Sequence, residues 1–245
     1  MKRKVNDLFK DIYIPKNSII LLHVRLKNLF DIKYDYADLS RSIYDAIENK
    51  FSPVEILVPS YTYSFTKSRI FDYRKSKSEV GRFSEEIRIL NDPNKRTKDP
   101  VFSIISTKNF FIKQNLDNSS AFGSNSTWDI LGKLGHYTIN INLTEPIVTT
   151  YLHKLEFDYK SPYRFMKIFS GKIIDSNNNI TTINYRYYVR NLDEDIKWDR
   201  KKILKYLESK SSILKSKNQK TIAFYSKSID KHIGQQLSIN NNFLI

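Results

Sequence analysis

The sequence predicts an α/β fold, a three-layer α/β/α sandwich with a central mixed sheet and a β-hairpin insertion. Three observations predict it. Short apolar runs alternate with stretches of helical spacing. The first strand–helix–strand passage occupies about forty residues, the span of a βαβ unit with a parallel strand pair. Late in the chain, two β-rich runs flank Ser176-Asn177-Asn178-Asn179, a hairpin turn signal. With no Pro/Gly/Ser-rich linker and no internal repeat, residues 1–245 read as a single domain and residues 160–195 as the hairpin insertion.

The elements follow in order. Asn17 to His23 is a short apolar run of the kind a buried strand needs. Asp38 to Asn49 repeats Leu39, Ile43, Ala46 and Ile47 at helical spacing. Val54 to Val58 is the second strand, stopped by Pro59. In parallel sheets ligands gather beyond the carboxyl ends of the strands, which places His23 and the loop Pro59 to Tyr63 side by side at a site. Ser84 to Leu90 is a short helix with Glu85 and Glu86 in its first turn. Phe102 to Ser106 is a short strand, and Ser126 opens a helix that runs to Leu134. His136 to Leu143 alternates as a strand, and a helix bearing His153 follows. Lys167 to Asp175 and Ile180 to Val189 are the hairpin strands. Asp199 to Lys210 is a helix, Thr221 to Tyr225 a strand and Ser228 to Leu237 a helix.

Composition narrows the classes. Hydrophobic residues make up 40% and aromatics 13%, enough for a full core. No run of eighteen apolar residues occurs, so no membrane span is expected, and no apolar signal-peptide core follows Met1-Lys2-Arg3-Lys4. The absence of cysteine excludes disulfides, thiol nucleophiles and thiolate metal sites, and a cytoplasmic location fits it. The net charge of +15 fits either an anionic partner or a compositional bias toward Lys, Asn and Ile. The charges are spread out. The densest stretch, Arg200-Lys201-Lys202 with Lys205, reads as the outer face of a helix.

The richest local pattern is Thr150-Tyr151-Leu152-His153-Lys154-Leu155-Glu156, a T-x-x-H-x-x-E spacing in a chain with four histidines. On a helix His153 and Glu156 share a face. A neutral imidazole beside a carboxylate can take a proton near neutral pH. No third ligand lies at a fitting spacing, so no metal is expected.

Further fragments lead up to this motif in a fixed order. They are His23 after the first strand, then Val58-Pro59-Ser60-Tyr61-Thr62, then Gly81-Arg82-Phe83-Ser84-Glu85-Glu86-Ile87-Arg88. After these come Arg96-Thr97-Lys98-Asp99-Pro100-Val101-Phe102-Ser103-Ile104 and Phe122-Gly123-Ser124-Asn125-Ser126-Thr127-Trp128. Together they resemble the aminoglycoside 3-N-acetyltransferase family, over roughly residues 18–160. There the corresponding segments read V-H-S-S, M-P-T-F-T, G-x-x-P-E-x-F-R, R-S-x-H-P-T-H-S-V, F-G-x-x-S-P-W and T-x-x-H-x-x-E. The chain departs from the pattern at Asp99 and Phe102, where that family has two histidines, and at Val24-Arg25, where it has Ser-Ser.

The resemblance implies acetyl transfer from acetyl-CoA to a small-molecule amine. His153 would be the general base, a role that contributes on the order of 10²–10⁴-fold, with Glu156 orienting it or holding the substrate ammonium. It places His23 near the cofactor; Ser60, Thr62, Ser103 and Ser126 sit on loops suited to the pantetheine and phosphates, and Tyr61, Arg82, Glu85 and Arg164 are the candidate acceptor contacts. Bland readings stand beside these: a satisfied core histidine at His23, a helix cap at Ser126 and a buried strand hydroxyl at Ser103. Since aminoglycosides are polycations and this chain is basic, the expected acceptor is an anionic, nucleotide-linked amino sugar of surface polysaccharide assembly. Aminoglycoside resistance is the alternative. The charge and the 16 tyrosines also permit a nucleic-acid-binding module, though no concentrated basic block or known motif supports one, and no nucleic acid is expected as partner. A homo-oligomer is compatible with the sequence, and the last fifty residues carry no assigned role.

Overall fold

In the computed structural model, which describes residues 1–145, 147, 149–191 and 195–245, the elements follow one another along the chain. They are α1 (Lys2–Asn6), β1 (Ile19–Val24), α2 (Tyr36–Phe51), β2 (Glu55–Pro59), α3 (Phe65–Ser68), β3 (Ile70–Asp72), α4 (Arg82–Leu90), β4 (Ile104–Ser106), α5 (Thr127–Leu134) and β5 (Tyr137–Ile141). There follow α6 (Tyr151–Asp158), β6 (Arg164–Ile174), β7 (Ile180–Arg190), α7 (Arg200–Ser209), β8 (Leu214–Lys215), β9 (Thr221–Tyr225), α8 (Ser226–Ile229) and α9 (Gln235–Ile239).

Six strands form a mixed sheet in the order β4-β2-β1-β5-β9-β8. Its centre is parallel, with β1 between β2 and β5, and antiparallel strands flank it. The apolar run of β1 is explained by burial on both faces. Ile20, Leu22 and Val24 pack with Val5 of α1, Leu39, Ile43 and Ile47 of α2, and Phe83 and Ile87 of α4. Ile19 and Leu21 pack on the other face with Trp128 of α5, Leu152 and Leu155 of α6, and Ile203 of α7. This is the expected three-layer α/β/α arrangement. Truncating a side chain such as Leu21 to Ala would cost ~2–5 kcal/mol. The Asp35 side chain starts α2 by accepting from the amides of Ala37 (2.8 Å) and Asp38 (3.0 Å). Ser52, in the left-handed conformation at φ 43°, ends it.

β6 and β7 form the long antiparallel hairpin, from Arg164↔Arg190 to Ile174↔Ile180. At its tip Asp175 Oδ1 accepts from the amides of Asn177 and Asn179, each at 2.8 Å. The hairpin is stitched to the body on both edges. β3 pairs parallel with β6, and Arg186 of β7 exchanges backbone bonds with Ser119 and Ala121. Gly171 permits the first of these: a Cβ there would lie 2.6 Å from the Arg69 carbonyl and 2.7 Å from the Phe65 ring.

Four short elements, α1, α3, β3 and β8, were not expected. Each is five residues or fewer, too short for a periodic signal. The strand expected at 102–106 begins at Ile104, because the Asp99 side chain holds the amides of Val101 (2.9 Å) and Phe102 (2.7 Å) in a turn. The last helix is interrupted by a π-helical turn at Asp230–Gly234. Among the described residues no helix is long and apolar enough to cross a membrane.

Candidate active site

α6 presents His153 and Glu156 one turn apart. His153 Nδ1 lies 2.6 Å from Glu156 Oε2, and the Glu156 side chain is completely buried. Such a carboxylate needs donors. Tyr163 Oη donates to Oε1 at 2.8 Å, and the Trp198 indole N–H donates to the same oxygen at 2.7 Å. Arg164 Nε lies 2.8 Å from Oε2, close enough to pair electrostatically although its N–H is not aimed along that line. Burial alone would raise the Glu156 pKa. The His153 imidazole, the Arg164 guanidinium and the indole N–H together hold it well below the usual carboxylate range. The His153 imidazole is pushed below its ordinary value by burial, against the pull of Glu156 and with the help of Arg164 and Arg200. Burial thus favours its neutral form. With Nδ1 engaged, Nε2 is the ring nitrogen left to meet a substrate.

The imidazole also packs against Trp198, with ring centroids 4.4 Å apart, and Arg200 lies over the indole, 4.9 Å from the Trp198 ring. Two cavities meet here, and both are lined by His153, Trp198 and Arg200. The narrow one, of about 200 Å³, also touches His23, Tyr61, Ser84, Leu143 and Thr150. It lies at the carboxyl ends of β1, β2 and β5, where the strand order led us to expect a ligand. The wide one, of about 900 Å³, opens against the hairpin. Its walls include Lys67 of α3, Tyr163, then Arg164, Lys167 and Phe169 of β6, and Tyr187 and Arg190 of β7.

The expected site residues separate into two groups. His153 and Glu156 form a hydrogen-bonded pair. His23 lines the narrow cavity, its Nε2 buried without a hydrogen-bond partner among the described residues; burial and nearby His136 push its pKa down to about 4. Tyr61 also borders that cavity but is 2% exposed, and its hydroxyl accepts from Thr150 Oγ1 at 2.9 Å, tying the loop after β2 to the start of α6. Arg164 lines the wide cavity, yet its guanidinium is turned onto Glu156 and His153.

The remaining expectations need correction. Ser60, Thr62 and Ser103 do not line either cavity. They are buried around the Arg96 guanidinium, which donates to the Ser60 carbonyl (2.6 Å), to Thr62 Oγ1 (2.8 Å) and to Ser103 Oγ (3.0 Å). A buried guanidinium requires such acceptors, and these residues supply them. Ser126 is a helix cap: its Oγ accepts from the Asp129 amide at 3.3 Å and is sealed from solvent. Arg82 pairs with Glu86 and lies over Tyr36, away from His153. Glu85 is held by Arg88 and by the Ser78 amide, both at 2.8 Å. Arg200 is a correction in the other direction, since it faces the site and not the outer surface of α7.

The two missing family histidines are absorbed by the core. Asp99 accepts from Tyr185 Oη at 2.8 Å, and burial pushes it up to about 7. Phe102 stacks among Tyr61, Phe122 and Tyr187, with centroids 5.2–5.3 Å away. Sequence reasoning missed Trp198 and Arg200. They lie some forty residues beyond the motif, and the only signal for Trp198 was its rarity, one of two tryptophans in the chain. Among the described residues no three His, Cys, Asp or Glu side chains group to hold a metal ion.

No family model matches the chain, and no curated protein matches it by sequence. Solved structures do match it. The chain is similar to aminoglycoside acetyltransferase AAC(3)-Xa (TM-score 0.75, 14% identity, covering 97% of this chain and 92% of that one). It is similar also to AAC-IIIb, solved as a binary complex with CoASH (TM-score 0.74, 11% identity, 98% and 96%). A third is the YokD protein from Bacillus subtilis (TM-score 0.71, 14% identity, 98% and 99%). The fold is thus that of the aminoglycoside 3-N-acetyltransferases, as the resemblance of the sequence fragments led us to expect.

Proposed function

We propose that this protein is a CoA-dependent N-acetyltransferase in which His153 is the general base. The observation that carries the proposal is the imidazole fixed through Nδ1 on a buried carboxylate, at the point where two cavities meet. Two cavities sharing one base suit a two-substrate transfer. The narrow cavity would take the thioester arm of acetyl-CoA, a placement supported by the partnerless Nε2 of His23 within it. The wide cavity would take the amine.

The chemistry follows. The acceptor amine gives a proton to His153 Nε2 and its nitrogen bonds to the thioester carbonyl carbon. Arg200, which borders both cavities, is placed to meet the negative oxygen that develops. The carbon–sulfur bond breaks, and the CoA thiolate leaves and takes the proton back from His153. Glu156 keeps the proton on Nδ1 and stabilises the transient imidazolium.

Two acceptor classes have support. The matched structures favour an aminoglycoside, since two others of that fold were solved with gentamicin and with sisomicin. The walls of the wide cavity favour an anionic amine such as a nucleotide-linked amino sugar. Lys67, Arg164, Lys167, Arg190, Lys197 and Arg200 line it, against Glu145 as the sole carboxylate among its described lining residues. Polycations are repelled by such a wall and phosphates attracted.

The test is release of CoA thiol from acetyl-CoA with each acceptor class. The chain contains no cysteine, so it adds no thiol of its own. Turnover that disappears in His153→Ala supports the proposal. Absence of turnover and of acetyl-CoA binding, with salt-sensitive binding to random DNA, would replace it by the nucleic-acid reading.

A further inference from the structure

His153 Nδ1 has two partners that demand opposite protonation. Glu156 Oε2, at 2.6 Å, can only accept and so needs a proton on Nδ1. Arg164 Nη2, at 2.8 Å, can only donate and so needs a lone pair there. One ring nitrogen of a neutral imidazole cannot do both. If the proton sits on Nδ1, Nε2 carries the lone pair and is a base. If Arg164 takes Nδ1, the proton moves to Nε2 and the ring presents no base to the substrate.

We propose that Arg164 is a positioning and specificity-determining residue that couples an anionic group of the acceptor to the tautomer of His153. The inference rests on the acetyltransferase reading for its consequence, though not for its test. Arg164 lines the wide cavity while its guanidinium reaches the base, so one side chain touches both places. Lys167, three residues on along β6, and Arg190, the cross-strand partner of Arg164, line the same cavity and give an anion a cationic seat beside it. A phosphate in that seat competes for Nη2, since a phosphate oxygen is a better partner for a guanidinium N–H than an imidazole nitrogen, while Nε stays beside Glu156 Oε2. Glu156 is then alone at Nδ1 and the base is switched on. An acceptor without an anionic group leaves Arg164 competing for Nδ1. The other groups facing the imidazole do not compete for this atom: Trp198 donates to Glu156, Arg200 lies over Trp198, and Phe122 packs at 6.3 Å.

The experiment uses the full chain with ¹⁵N-labelled histidine. With only four histidines, the His153 signals are identified by their loss in His153→Ala. Protonated and lone-pair ring nitrogens resonate far apart, so the spectrum reads the tautomer directly. The free chain is expected to show a mixture at neutral pH, and inorganic pyrophosphate is expected to shift it toward the Nδ1–H form. Arg164→Met should show that form with or without pyrophosphate, and Arg164→Lys should restore part of the response. A wild-type spectrum unmoved by pyrophosphate, or a shift that persists in Arg164→Met, overturns the coupling. The wild-type titration needs no variant, so a folding defect in Arg164→Met leaves a decisive result. A responsive tautomer in a chain that transfers no acetyl group would sink the acetyltransferase reading and leave the coupling standing. Active transfer with a silent tautomer would do the reverse.

Discussion

Glu156→Gln is nearly isosteric, yet it should damage both stability and activity, for separable reasons. The amide oxygen can replace Oε1 and keep the Tyr163 and Trp198 bonds. The amide nitrogen then occupies the place of Oε2 and turns its protons toward His153 Nδ1 and Arg164 Nε, 2.6 and 2.8 Å away. Two interactions with a buried charge are lost. The His153 hydrogen bond to the buried charge is worth ~1.5–3 kcal/mol, and with the Arg164 ion pair lost as well the total comes to the ~3–5 kcal/mol of breaking a buried ion pair. The new amide donates to Nδ1 and forces the proton onto Nε2. A histidine locked in the wrong tautomer lowers the rate on the order of 10⁴-fold in a Ser-His-Asp triad, and a loss of that order is expected in kcat. Denaturant unfolding measures the first effect and thiol release the second, below the unfolding midpoint. A variant that unfolds earlier but turns over within a few-fold of wild type would show that Glu156 supports the fold and does not orient the base.

Three further outcomes are expected. Trp198→Phe keeps an aromatic ring near His153 but removes the N–H to Glu156; if the ~1.5–3 kcal/mol of that bond is expressed in the transition state, kcat falls ~10–100-fold with little change in KM, by steady-state kinetics. Ser103→Ala removes an acceptor from the buried Arg96 guanidinium and should cost ~1.5–3 kcal/mol in unfolding free energy, leaving KM for acetyl-CoA unchanged; a raised KM would return Ser103 to the cofactor. His136 is buried and pushed down to about 4, so its neutral form stabilises the fold fully above the ordinary value of 6.5 and this stability is lost as pH falls from 6.5 toward 4. His23 acts with the same sign and Asp99, pushed up to about 7, with the opposite one. Thermal melts of His136→Gln should therefore fall less steeply than wild type over that range, and parallel curves would refute the assignment.

The His153–Glu156 pair was legible in the sequence because the two residues lie within one helical turn, where spacing alone decides that two side chains meet. The central strands were legible for a similar reason: burial on both faces leaves an unbroken apolar run, as in Ile19 to Leu22. What holds the pair was not legible. Tyr163, Arg164 and Trp198 reach Glu156 from after α6, from the hairpin and from the approach to α7, and no local period connects them. The same limit explains the misplaced serines. Thr62 and Ser103 have the residue types and loop positions of a phosphate cradle, but a buried arginine from a third segment takes their hydroxyls, and it takes Ser60 through the backbone carbonyl, leaving the Ser60 hydroxyl without a partner among the described residues. A polar loop residue states what it can bond, and only tertiary structure states to what.

The basic charge shows this on a larger scale. Along the sequence the 41 lysines and arginines form no block, and nothing in their order points to a single anionic ligand. In space, cations from α3, β6, β7 and the start of α7 converge on one cavity beside His153. A concave wall with an excess of one sign focuses its field where an exposed stripe of the same charges would be screened within about 10 Å at ordinary salt. The hairpin is the device that gathers them, because β6 and β7 carry Arg164, Lys167 and Arg190 to the cavity and β3 pins the strands to the body beside Lys67. Acceptor choice is therefore expected to reside in the hairpin and the chemistry in α6, with Arg164 the residue at which the two meet.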